Sequence, residues 1–214
     1  MQFESAPPSI VRSVRQRDLL NTWLRLRVRV EALPAVRDYE PARLEDELKD
    51  IVYYVVQRDR SGWRFIIDSH GSRLAQAYGK GGGSNIGTDL RDYVGPAMVN
   101  LVLPIYETCT SRALPVYSIS LVNDTDGRTV AYERLLMPFF TGDDVTHIVA
   151  SLKTISEDGR FEINNLLRDQ AKLPEYKLRA VIDRDLAVNQ PPAGRERNLA
   201  TDAPQADAVD IVEI

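Results

Sequence analysis

The 214 residues carry 27 basic and 31 acidic side chains, two histidines and one cysteine, with 43% hydrophobic residues and a formal net charge of −4. That is room for one ordinary domain plus additional chain, at about 100–200 residues per domain. The lone Cys109 excludes an internal disulfide and any multi-cysteine metal site and points to a reducing, cytoplasmic compartment, while the acidic balance argues against a general nucleic-acid binder.

The N-terminal stretch Met1–Ser9 has no signal-peptide pattern, and no window approaches the roughly 18 apolar residues of a membrane helix. Residues 9–32 form an Arg-rich apolar segment that predicts a helix ended by Pro34. At about 100° per residue, Ile10, Val14, Leu20, Leu24 and Val28 fall on one side, and Leu19, Trp23, Leu26 and Val30 fall nearly opposite. A helix with two apolar faces buries one on its own domain and offers the other to a second copy of the chain. Leu19, Trp23, Leu26 and Val30 are therefore the expected dimer contacts. Six arginines stand against Glu4 and Asp18 in residues 1–30, a balance of +4, whereas residues 31–50 hold three bases and seven acids, a balance of −4. Such neighbouring blocks pair within a fold or across a dimer.

Pro41 opens a short acidic helix. Asp50–Gln57 and Trp63–Asp68 then read as a hairpin of β-branched and aromatic residues. A short helix at Ser72–Tyr78 leads into the Gly-rich stretch Gly79–Gly87. That stretch fits neither the Walker pattern nor Gly-x-Gly-x-x-Gly, and reads as a connector or lid. A long helix at Pro96–Arg112 keeps Met98, Leu101, Val102, Ile105 and Cys109 on one side. Three strands follow, at Val116–Asn123, Arg128–Phe139 and Val145–Ile155. The expected fold class is thus α+β: a five-stranded antiparallel sheet with helices on one face and a ligand space between them. Residues 157–188 read as a partly helical extension. Residues 189–214, rich in Ala, Pro and acids, read as a disordered acidic tail whose last six residues alternate apolar and acidic.

Leu20-Asn21-Thr22-Trp23 through Leu33-Pro34, then Arg37-Asp38-Tyr39-Glu40-Pro41, and later Tyr132-Glu133-Arg134-Leu135-Leu136-Met137-Pro138 resemble a family of small PAS-like proteins of alphaproteobacteria. The resemblance spans residues 18–155. It implies a PAS sheet in spatial order 2-1-5-4-3, a domain at 35–156 and an N-terminal helix within 1–34. Lys80–Ser84 departs from the family's brief turn, so the ligand cannot be borrowed from it.

The chemistry is sparse. Ser69 and His70 are strand neighbours and point to opposite faces, a poor relay geometry. His147 reads as a packed strand residue, and Asp143, Asp144 and His147 lack a further ligand for a metal. No cofactor is expected, because Cys109 lies outside the motif of flavin photoreceptors and nothing supports haem. A strand arginine turned inward needs an acid or an anionic ligand, which makes Arg64, Tyr106 and Arg134 the candidate pocket residues. The expected function is a non-enzymatic PAS-type sensory or interaction module in bacterial signalling, dimeric, acting on a separate output protein and binding a small molecule. The alternative is an isomerase- or dehydratase-like α+β enzyme drawing an acid–base pair from Glu133, Asp68 and His147. A third option has the pocket filled by its own side chains.

Overall fold

The chain alternates between two periods, and each period becomes an element of the matching kind. In the computed structural model, which describes residues 2–29, 34–42, 44–60, 62–77, 85–123, 129–142, 144–156 and 173–185, a short strand β1 (Glu4–Ala6) precedes helix α1 (Val14–Arg29). A single helical turn, α2 (Leu44–Glu47), leads into the hairpin β2 (Ile51–Asp59) and β3 (Gly62–His70). Helices α3 (Ser72–Ala77), α4 (Leu90–Val94) and α5 (Pro96–Arg112) follow. Strands β4 (Val116–Asn123), β5 (Thr129–Thr141), β6 (Asp144–Ser156) and β7 (Glu175–Ile182) complete the order.

Among the described residues the sheet has seven strands rather than the five expected, in the order β1-β7-β4-β5-β6-β2-β3. The third of the expected five strands, β4, expected to be an edge, is therefore interior. It pairs antiparallel with β7, and β1 adds in parallel beyond it. The two additions come from segments assigned outside the 35–156 domain. The described part of the 157–188 extension, expected to be partly helical, contributes β7. The acidic tail at 189–214 and the glycines at 79–83 lie outside the described residues, as does Val30.

Helices cover both faces of the sheet, not one. On one side α5 buries Val102, Ile105, Tyr106 and Cys109 against Tyr54, Phe65, Tyr132, Leu136 and Ile148. On the other, α1 packs Leu19, Leu20 and Trp23 against Tyr117, Leu135, Met137 and Val149. Gln16, Leu19, Leu20 and Trp23 share one face at spacings of three and four. α1 has a single buried face: Val14 and Val28, expected on an apolar side, are exposed at 64% and 60%. Leu19 and Trp23 are buried against the chain's own sheet, and the Trp23 indole donates to the Pro138 carbonyl at 2.8 Å. Leu26 is half-buried against the same core. These residues do not form the outward dimer face expected of them, because the wide sheet surface beyond Tyr117 and Val149 would otherwise be left open to water.

Local signals set the element ends. Asp89 caps α4 by accepting from the Arg91 amide at 3.0 Å. Gly95, at φ 80°, turns the chain between α4 and α5, and Pro96 starts α5 where its missing N–H costs nothing. The opposite-charge blocks meet in part: Arg15 pairs with Glu47 at 3.1 Å. The buried acids Glu47 and Asp50 otherwise go to Lys153 and Arg73. Among the described residues no helix is long and apolar enough to cross a membrane.

Candidate functional site

Alternation along β5 decides which charged residue faces which helix. Glu133 and Arg134 are consecutive, so they point to opposite faces. Both are buried, Glu133 completely and Arg134 to 4% exposure. Arg134 turns toward α5, where its guanidinium carbon lies 5.8 Å from the Tyr106 ring centre and 5.5 Å from that of Tyr132. Its Nη1 donates to the Tyr176 hydroxyl at a long 3.5 Å.

Sheet register extends this group across three strands. Ser118 on β4 opposes Arg134 on one side and Arg179 of β7 on the other. Ser120 likewise opposes Tyr132 and Tyr176. Directly opposed residues share a face, so two small serines lie between walls of long side chains: Arg134 and Tyr132 on one side, Arg179 and Tyr176 on the other. The Arg179 guanidinium stacks 3.9 Å above the Tyr176 ring. Tyr106 descends from α5 over the same ground and donates to the Tyr54 hydroxyl at 3.3 Å, with edge-on ring contact to Tyr54.

Burial governs the electrostatics here. Desolvation pushes the Tyr106 and Tyr132 phenols above their ordinary range, and the nearby Arg134 charge opposes that rise without cancelling it. The phenols are neutral donors at physiological pH. The Tyr132 hydroxyl has no hydrogen-bond partner of good geometry among the described residues, although Arg134 lies close enough to influence its ionisation. The Arg179 Nε is also buried without a hydrogen-bond partner among them. Beside β7 a hollow of about 410 Å³ opens to solvent, lined by Gln2, Glu4, Tyr176, Lys177, Leu178 and Arg179. A second hollow of about 250 Å³ runs along α1, but it is bounded by Arg15 and Glu47, which already pair with each other.

Two of the three expected pocket residues, Tyr106 and Arg134, come together. Arg64 does not join them: it lies on the other alternation of β3 from Phe65 and Ile67 and pairs with Asp89 at 2.9 Å. The acid–base candidates do not converge. Asp68 is exposed at the bulge of β3. Glu133 opposes Lys153 whereas Phe139 opposes His147, placing Glu133 and His147 six residues apart along β6, about 20 Å. His147 is half-buried with its Nδ1 2.9 Å from the Thr146 hydroxyl. No three acidic, histidine or cysteine side chains gather as a metal site among the described residues. Cys109 sits in the core, and burial pushes its thiol well above its usual range.

Arg179 and Tyr176 were missed. Their strand carries a partial signal, since Leu178, Ala180 and Ile182 alternate with Arg179 and Val181, while Tyr176 joins the face of Arg179 only through a register shift against β4. The acidic, helix-friendly sequence before it obscured that pattern.

No family model matches the chain, and no curated protein matches it in sequence. Among solved structures it is similar to a light-oxygen-voltage domain studied with a flavin analogue, at 16% identity over 54% of this chain and 83% of that one, with a TM-score of 0.39. The likeness is distant, and neither a family model nor a curated sequence supports the expected alphaproteobacterial family.

Proposed function

We propose that the chain is a non-enzymatic, PAS-type sensory module of the cytoplasm that binds a small molecule beneath α5, forms a homodimer and acts on a separate output protein. The observation that carries this reading is Arg134, buried to 4% exposure beneath Tyr106 on a strand whose next residues on either side, Glu133 and Leu135, face α1. One strand thus touches both helical layers. A ligand that binds one arrangement of β5 better than another shifts the packing of α1, since only differential affinity moves such an equilibrium. Dimerisation in this reading does not use Leu19 or Trp23, which are committed to the core.

The test starts with native mass spectrometry and an absorption spectrum of freshly purified protein, followed by a metabolite screen read by thermal midpoint and by amide exchange. A compound that raises the midpoint, slows exchange in α1 and loses both effects in Arg134→Met supports the reading. A screen in which no compound of any charge stabilises the protein overturns it, as does a stabilising compound that ignores Arg134→Met.

A further inference from the structure

We infer that the homodimer forms through the outward stripe of α1, with the α1 helices of two copies lying antiparallel across a two-fold axis beside Asn21. The inference rests on the preceding reading that the chain forms a homodimer, and adds the surface and the direction of the pairing.

The stripe follows from helical spacing. At about 100° per residue, Val14, Asp18, Asn21, Arg25 and Val28 fall within about 40° of one line along α1. That line runs opposite the buried face of Gln16, Leu19, Leu20 and Trp23. All five are exposed, and Val14 and Val28 are the most exposed large apolar side chains among the described residues, at 64% and 60%. Val14, Asn21 and Val28 recur every seven residues, the repeat that keeps a seam in line between two paired helices. A single asparagine within such a seam fixes its register.

Charge chooses the direction. Asp18 and Arg25 stand about 10.5 Å apart along the axis at 1.5 Å per residue, too far to pair within one copy. Asp18 has no cationic partner among the described residues. Arg25 donates to the Thr22 hydroxyl at 3.0 Å, and its guanidinium has further donors. In a parallel pair each residue meets its own copy, which sets Asp18 beside the partner's Asp18 and Arg25 beside the partner's Arg25. An antiparallel pair centred beside Asn21 instead sets each Asp18 beside the other copy's Arg25, on one flank. It also sets Val14 against the partner's Val28 and Asn21 against the partner's Asn21. On the other flank Arg17 lies against the partner's Leu24, which the arginine stem covers. The hollow of about 250 Å³ along α1 is on the charged flank, lined by Asp18, Asn21, Thr22 and Arg25, and gives the paired charges room. The buried face of the same helix packs on Leu135 and Met137 of β5, so a shift in that packing reaches the dimer.

Sedimentation equilibrium of the full chain, from about 1 to 500 µM, tests this. A contact of one helix per copy is smaller than a standard interface of roughly 1,600 Å², so a micromolar dimer is expected. Val28→Glu weakens it at least about tenfold. Asp18→Arg and Arg25→Asp each weaken self-association by about tenfold. Mixing those two variants restores a dimer of near wild-type affinity, because each copy then carries the charges that the other lacks. Circular dichroism confirms that each variant is folded. Wild-type affinity in Val28→Glu overturns the inference, as does failure of the two charge variants to associate on mixing; either outcome leaves the homodimer of the preceding reading standing. A chain that stays monomeric throughout that range overturns the inference and the homodimer together.

Discussion

The two faces of the sheet handle buried charge in different ways. Toward α1, Lys153 reaches both Glu47 and Asp50, and Arg73 reaches Asp50 as well. Cations there meet carboxylates from the segment that links α1 to the hairpin, and the result fastens that segment to the sheet. Toward α5, Arg134 and Arg179 lie against phenol rings and over serines. Aromatic faces attract a cation weakly compared with a carboxylate, by about 0.5–2 kcal/mol each. The first arrangement fastens a connecting segment to the sheet, and the second holds its guanidinium groups against aromatic rings, with Arg179 also lining the hollow beside β7.

Tyrosines sit on both faces, so alkaline pH is the broadest way to break the comparison. Burial raises the phenols of Tyr39 and Tyr117 toward α1, of Tyr106 and Tyr132 toward α5, and of Tyr93, which is pushed up to about 12. A phenol whose folded value is raised holds its proton longer in the fold than in the unfolded chain. Its contribution is complete below the unfolded value near 10 and is lost as pH climbs from there through the folded value. Phenolate absorbance near 295 nm is expected to appear together with loss of circular dichroism between about pH 10 and 12, not before it. Full phenolate absorbance in a still-folded protein would contradict the burial of these rings.

Removing single side chains separates the faces. Trp23→Ala removes a fully buried indole and its bond to the Pro138 carbonyl, and is expected to cost about 4 kcal/mol in chemical denaturation. A loss below about 1 kcal/mol would put Trp23 back on an exposed surface. Lys153→Met leaves Glu47 and Asp50 buried without their shared cation, at a cost of about 3 kcal/mol. A loss below about 1 kcal/mol would show that Arg15 and Arg73 neutralise the two acids without the lysine. The smallest effect has the opposite sign. Glu133 is fully buried toward α1, the Tyr117 hydroxyl lies beside it, and neither of its oxygens has a hydrogen bond of good geometry among the described residues. Glu133→Gln removes the charge at nearly constant shape and is expected to raise stability by about 1 kcal/mol. A clear loss instead would assign Glu133 to the ion network around its cross-strand neighbour Lys153.

Much of the local structure was legible. The apolar stripe of α5, the proline at its start and the β-branched runs of the hairpin and of β4 are local signals, and the elements appear close to where those signals place them. The pairing of Tyr106 with Arg134 was also legible in outline, because an inward strand arginine under an amphipathic helix needs a neighbour that tolerates charge. Arg64 failed by the same reasoning: its strand position allowed either face, and Asp89, the cap of α4 and 25 positions along the chain, took it.

What residue order alone established is periodicity. Two residues per repeat fixed which side chains of β5 share a face, and hence that Glu133 and Arg134 part company; near 3.6 per repeat fixed the buried stripe of α5. Periodicity is blind to partners. That α1 would close the second face of the sheet, that β7 would pair with β4 instead of leaving it an edge, and that Arg179 would stand across Ser118 from Arg134 all depend on contacts tens of residues apart. Such contacts are chosen by the total area buried and the donors satisfied when the whole sheet assembles, quantities that no local window of the chain contains.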